Sequence, residues 1–383
     1  SVPLYPKRNH IYNYLVKFCN KYNLIKNCKF SSMVTNTSFD KRKNKWKIVY
    51  EYNNSKRIHY SDYIIVASGF YTKKNIPNFI NNKSILPKIL YPEDFSYKSN
   101  LNSSIFNNKK VVIIGNGPSG CDIAINALQY TDDVTILYRT NRWIFRRHNG
   151  KYTNHYLLCR LIITIVNYIP DRLYTILLAI IYKMLFIANG YDSNKIFVPN
   201  IPVTRSNLVL NEDILEQISK GKIKYHKTNH ISMNNNSITY NNTTSECDIC
   251  VVCTGYENNI SFLNLNKIPF LYKRIIHPNI QNCAFIGFAP SYNWPQLCEV
   301  QICWYFNYLN NKNLQKTSKF MSNDISRVKS ITEKTDKTHD YYDLSVIFYD
   351  YIGELLNDIK NFKYKYSKYN YKYWIFSPVF VDK

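Results

Sequence analysis

"VVIIGNGPSGCDIA", Val111 to Ala124, is the stretch whose reading decides the fold. Val111 to Ile114 reads as a strand, and Pro118 onward reads as a helix with Ile123, Ala124, Ala127 and Leu128 on one face. Between them lies Gly-x-Gly-x-Ser-Gly, and "DVTILYR", Asp133 to Arg139, supplies the next strand. That order of strand, glycine-rich turn, helix and strand is the context in which the motif cradles a dinucleotide. Gly115 makes the tight turn, Gly117 admits a pyrophosphate to the backbone, and Gly120 allows close helix–strand packing. Amide groups and the positive end of the helix dipole then face the phosphates.

The end of the second strand selects the nucleotide. An NAD site wants an acid there to accept hydrogen bonds from the ribose 2′-hydroxyl. Here "YRTNR" places Arg139, with Arg142 close by. A guanidinium suits a 2′-phosphate and leaves a free hydroxyl without an acceptor, so NADPH is favoured over NADH. For Arg142, Arg146 and Arg147 a solvated basic face is the competing reading.

Working outward, two segments share one cadence. Trp46 to Tyr52 and Arg57 to Tyr60 read as strands around an Asn-Asn-Ser turn, and "SDYIIVASGFY" then gives an apolar strand ending at Ser68-Gly69. His230 to Tyr256 repeats this, with short strands leading to an apolar strand that ends in Thr254-Gly255-Tyr256. Glycine at such an exit lets backbone approach a ligand, and ligands of open α/β sheets sit beyond the carboxyl ends of strands. "HIYNYLVKFCNKYNL", His10 to Leu24, has helical apolar spacing.

Composition sets wider bounds. The 383 residues allow two or three domains. The formal charge of +24 invites a nucleic-acid or acidic-membrane reading, but Lys, Asn, Tyr and Ile are over-used everywhere rather than on one face. No nucleic-acid partner is therefore expected. The ten cysteines show no disulfide-framework spacing and "SVPLYPKRNH" lacks an apolar core, which points to free thiols in a cytoplasmic, reducing setting. Residues 156–188 hold two apolar runs, each shorter than the ~20 residues of a membrane span. They read as two amphipathic helices on the core, with a membrane-surface hairpin and peripheral attachment as the alternative. "HKTNH" and "CDIC" tempt one towards zinc, but Cys247 and Cys250, three apart on a strand, are expected to face opposite ways. The same argument counts against a disulfide reductase. "KYKYSKYNYKYW", Lys363 to Trp374, reads as a C-terminal strand of biased composition.

Taken in order, "KKVVIIGNGPSGCDIA", "VTILYRTNRW", "VVCTGYENNISFL" and "AFIGFAPSYNWPQLCEVQICW" resemble the flavin-containing monooxygenases. The resemblance begins at "YPKRNHIYNYL", passes through "IIVASGFY" and fades after about Tyr308. It implies an α/β fold of two Rossmann-like dinucleotide-binding domains, with an NADPH domain inserted into an FAD domain. Residues 1–105 would form the first part of the FAD domain and 246–383 the second. Residues 106–245 would form the NADPH domain, with a helical insertion at 151–190. The implied reaction is NADPH- and O2-dependent oxygenation of nitrogen or sulfur in a small nucleophilic molecule through an FAD C4a-hydroperoxide. Little acid–base machinery is needed for it, in keeping with the lack of a triad or carboxylate pair.

Carried over residue by residue, the resemblance assigns Gly115, Gly117, Ser119 and Gly120 to the NADPH turn and Arg139 and Thr140 to the 2′-phosphate, with Pro118 and the nearby Arg142 as further cofactor-binding candidates. Ser68, Gly69, Thr254, Gly255 and Tyr256 become interdomain exits touching the nucleotides. Gly287 and the helix near Pro295, with Gln301 and Trp304, fall near the flavin, with ordinary helix packing as the other reading of Gln301 and Trp304. Two features depart from the pattern. No Gly-x-Gly-x-x-Gly precedes Gly115, and the family's Phe-x-Gly-x-x-x-His-Ser falls where Ile85, Pro87, Tyr91 and Pro92 stand. A Baeyer–Villiger or N-hydroxylating relative, or a weakened NADPH-binding relative without catalysis, are the alternatives.

Overall fold

The computed structural model describes residues 6, 8–69, 71–80, 87–95, 102–149, 152–153, 169–170, 173, 176–177, 179–181, 183–184, 198–199, 208–234, 236–257, 259–265, 268–288, 294–335 and 348–359. The main elements in chain order are α1 (Arg8–Lys21), β1 (Ser32–Asp40), β2 (Lys45–Tyr52), β3 (Ser55–Ser61), β4 (Ile64–Val66), β5 (Lys73–Lys74), β6 (Lys88–Leu90), β7 (Val111–Ile114), α2 (Pro118–Ala127) and β8 (Val134–Tyr138). There follow α3 (Ile214–Ser219), β9 (Ile223–Lys227), β10 (Ile231–Asn234), β11 (Ser237–Tyr240), β12 (Thr243–Glu246), β13 (Ile249–Val252), β14 (Tyr256–Glu257), β15 (Cys283–Phe285), α4 (Trp294–Asn310), α5 (Ser318–Thr335) and α6 (Phe348–Asp358). Contacts divide the chain into two units. One is Ser1–Ser68, Asn258–Ile286 and Lys316–Ile325, and the other is Gly69–Glu257, Gly287–Gln315 and Ser326–Lys383.

In the first unit, β1, β2 and β3 form an antiparallel meander. Asn53 and Asn54, both at positive φ, make its second turn, which is the backbone a two-residue hairpin requires. The indole of Trp46 donates to the carbonyls of Gln281 and Asn282 (3.1 and 3.2 Å), pinning β2 to the segment that enters β15. β15 pairs in parallel with β4. The expected N-terminal helix forms as α1, yet none of its residues is buried.

The second unit is built on a five-stranded sheet in the order β9–β8–β7–β13–β6, parallel throughout. Every residue of β7, β8 and β13 is buried, as strands covered on both faces must be. Val111, Ile113, Val134, Ile136, Ile249 and Val251 face a cluster shared with Ile123, Ala124 and Ala127 of α2 and Ile214 and Ile218 of α3. Val112, Ile114, Leu137, Cys250 and Val252 face the other way, onto Met233, Ile238 and Tyr240 of the β10–β12 meander. This period-two alternation gives three layers: helices, sheet and meander.

The sequence-drawn boundaries at 105/106 and 245/246 both fall inside this unit. β6 and β13 lie outside them in sequence but hydrogen-bond into the sheet of β7. Strand pairing, which composition does not display, draws them in. The expectation that Cys247 and Cys250 face apart is overturned. Both are buried in the same cluster, because Cys247 precedes the strand that begins at Ile249. Most of 156–188 and of 151–190, and all of 363–374, lie outside the described residues. Among the described residues no helix is long and apolar enough to cross a membrane.

Candidate functional site

Strand order places the site. From β7 the chain runs to β8 and β9 on one side, while β13 and β6 lie on the other. The carboxyl end of β7 is therefore a switch point, where open α/β sheets take ligands. The turn at that end is Gly115 to Gly120.

Its glycines divide by what surrounds them. Gly115 has φ +110, and a Cβ there would lie 2.4 Å from the carbonyl oxygen of Cys253. A Cβ on Gly120 would lie 2.1 Å from the carbonyl oxygen of Gly115. These two are glycine because backbone presses on backbone. Gly117 is different: its φ is an ordinary −74, and a Cβ would meet nothing within 4 Å. Nothing in the fold requires glycine there, and the backbone at this point is open to close approach. Pro118 and Ser119 are exposed at the start of α2, and proline in the first helical position gives up an amide that would lack a partner anyway. The first-turn amides that follow lack intrahelical partners, which is the arrangement that suits an anion.

Arg139 and Thr140 follow β8 directly and are exposed. Among the described residues no acid pairs with Arg139. Its neighbours in sequence are tied down: Arg146 to Glu216 (3.5 Å) and Arg147 to Asp122 (3.3 Å). Arg142 is half-buried near Cys121 and Tyr225, and burial lowers its pKa from the ordinary arginine value. Arg139 is thus the cation of this cluster left open to a phosphate, while Arg142 backs the turn.

The β13 exit is braced from its own unit. The Thr254 hydroxyl donates to the carbonyl of Asn75 (2.6 Å), and the Asn75 amide donates to the carbonyl of Gly255 (3.0 Å). Tyr256 pairs with Lys74 across β14 and β5, and the Tyr71 ring meets its edge at 5.2 Å. Burial, and then a hydrogen bond to the Glu93 carboxylate, raise the Tyr256 phenol above its usual pKa. Glu93 lies in the stretch that replaces the family signature; the sequence reading gave it no role.

Gly287 and Gln301 meet each other. Gln301, fully buried, accepts from the Gly287 amide through Oε1 (2.8 Å) and donates through Nε2 to the Tyr351 hydroxyl (2.8 Å). Trp304 donates from its indole to Asp358 (2.9 Å). Both ends of the Gln301 amide are committed to joining α4, α6 and the strand exit. Ser68 ends the first segment of one unit, and Gly69, with φ +80 and nothing within 4 Å of a Cβ, begins the first segment of the other.

Fold and turn together define a Rossmann-like α/β protein with a glycine-rich turn at a sheet switch point. The chain belongs to the family described as flavin-binding monooxygenase-like, whose profile matches residues 1–368. It is 25% identical over 359 residues to flavin-containing monooxygenase 3 of Macaca mulatta, covering 89% of this chain and 64% of that protein. It is 21% identical to trimethylamine monooxygenase of Pelagibacter ubique, covering 97% of this chain and 69% of that one. The chain thus spans about two thirds of these relatives' length. Among solved structures, Tmm from Pelagibacter superimposes with TM-score 0.61 at 18% identity, covering 93% of this chain and 65% of that one. An open form of cyclohexanone monooxygenase gives 0.66 at 13%, covering 93% and 83%.

Proposed function

We propose that this chain is the nucleotide-handling body of an NADPH- and O2-dependent flavin monooxygenase that oxygenates nitrogen or sulfur in small molecules. One observation carries the coenzyme choice: Arg139 stands exposed, with no acid paired to it among the described residues, beside a turn whose central glycine borders open space. In that arrangement the Gly117 backbone and the α2 amides hold the pyrophosphate, and Arg139 with Thr140 holds the 2′-phosphate. Family membership supports FAD as second cofactor, with Gly69, Gly287 and the Thr254-Gly255-Tyr256 exit of the second unit as candidate nucleotide neighbours. FAD, once reduced, supplies the activation of O2. This chain's residues bind and orient the coenzyme and keep the exit at Tyr256 rigid.

The test is NADPH oxidation coupled to O2 uptake in flavin-loaded protein, with and without a tertiary amine or thioether. Stimulation by those nucleophiles with formation of the N- or S-oxide supports the reading. Oxidation of a cyclic ketone to a lactone in their place moves the chain to the Baeyer–Villiger class. NADP+ binding with no turnover of either makes it a non-catalytic relative.

A further inference from the structure

Asn116 occupies the variable position between Gly115 and Gly117 and is only 4% exposed. A buried amide inside a nucleotide-binding turn has to be satisfied by its surroundings. Its Nδ2 donates to the carbonyl oxygen of Thr140 (3.0 Å) and to the hydroxyl oxygen of Tyr225 (2.9 Å). Thr140 lies just beyond β8. Tyr225 lies in β9, its ring stacked on Tyr138 of β8 with centroids 4.2 Å apart. One side chain therefore ties the β7 turn to two neighbouring strands. The segment it holds, 139–142, carries the guanidinium that faces solvent.

Resting on the NADPH reading above, we propose that Asn116 is a positioning residue that sets the choice between the phosphorylated and unphosphorylated nicotinamide dinucleotides. It acts through the Thr140 carbonyl. With that oxygen bonded, the path of 139–142 is fixed, and Arg139 is presented to a 2′-phosphate in one arrangement before the coenzyme arrives. Without it the carbonyl has lost its partner and the segment must reorganise on binding. The pyrophosphate and adenine contacts common to both coenzymes do not pass through this bond. The loss should therefore fall on NADP+ and spare NAD+. The Tyr225 hydroxyl, which receives the second N–H, holds the amide in the plane that reaches Thr140.

The experiment is calorimetric titration of the full chain with NADP+ and, separately, NAD+, for the wild type, Asn116→Leu and Tyr225→Phe. Asn116→Leu is expected to weaken NADP+ by roughly 10-fold while moving NAD+ by less than about 2-fold, the worth of one strong hydrogen bond. Tyr225→Phe should narrow the preference in the same direction by about 2- to 3-fold. Because it removes a single oxygen, it keeps the test decisive should Asn116→Leu fold poorly. A merely structural role would weaken both coenzymes together. An unchanged NADP+/NAD+ ratio in the variants, or an equal loss of both, overturns the proposal while leaving the NADPH reading intact. A wild type without preference overturns that reading and the proposal with it.

Discussion

The same cadence occurs twice in this chain, and its two copies come to different ends. In each, a meander of short antiparallel strands leads to an apolar strand that exits through a small residue and glycine. In the first copy that strand is β4, which among the described residues pairs with β15 and whose Ile65 remains 42% exposed. In the second it is β13, flanked by β7 and β6 and buried at all four positions. Local pattern writes the strand and its exit, and neighbouring strands decide how deeply the strand is buried. The two exit glycines nevertheless stay alike, and the contrast among glycines lies at the turn between them. At the β7 turn Gly115 and Gly120 meet backbone within 2.4 Å of a would-be Cβ, whereas Gly69 and Gly255 meet nothing within 4 Å.

Substitution with alanine separates the two kinds. Gly120→Ala and Gly115→Ala should each destabilise the protein by about 3 kcal/mol or more, because only backbone movement relieves the overlap. Gly69→Ala and Gly255→Ala should cost about 1–2 kcal/mol each, the strain of a side chain at positive φ. Urea unfolding of the four variants measures this, and equal losses would break the comparison. Gln301→Leu comes next, at about 2 kcal/mol by the same method, since it removes the acceptor of the Gly287 amide and the donor to the Tyr351 hydroxyl. Gly117→Ala should cost about 1 kcal/mol or less while weakening dinucleotide binding at least about 10-fold. Full-affinity binding in that variant would deny Gly117 its role.

The smallest effect is chemical. Burial pushes the Cys247 and Cys253 thiols up to about 12 and raises Cys250 well above its ordinary value, while Cys28 is exposed. A group raised in this way stays protonated through neutral pH and becomes reactive only as pH climbs towards its shifted value. At pH 8, iodoacetamide should label Cys28 and spare Cys247, Cys250 and Cys253 until the protein is unfolded. Mass spectrometry of the digested peptides reads this directly.

The sheet around β7 was legible because its strands are unbroken apolar runs and its turn is a fingerprint with few backbone solutions. Arg139 was legible because its position at the end of β8 follows from that turn. What escaped was pairing. Nothing local in "PKILYP" announces that Lys88–Leu90 adds to the far side of β13. Nor does strand periodicity apply to Cys247, which sits before its strand begins. Asn116 escaped because a fingerprint treats its variable positions as free, although a polar residue there, next to a buried strand, is itself a sign of a bond to be found. Gln301 was marked by resemblance, but only coordinates show both ends of its amide engaged within the fold.

The central claim is that Arg139, beside the open Gly117 turn, reads the coenzyme's 2′-phosphate. Titrating NADP+ and NAD+ into the wild type and Arg139→Ala tests it most directly. The account predicts that the wild type prefers NADP+ by at least about 30-fold, within the range of charge-assisted hydrogen bonds, and that the substitution abolishes the preference without weakening NAD+. Equal binding of the two coenzymes by the wild type, or a preference that survives the loss of Arg139, would contradict it.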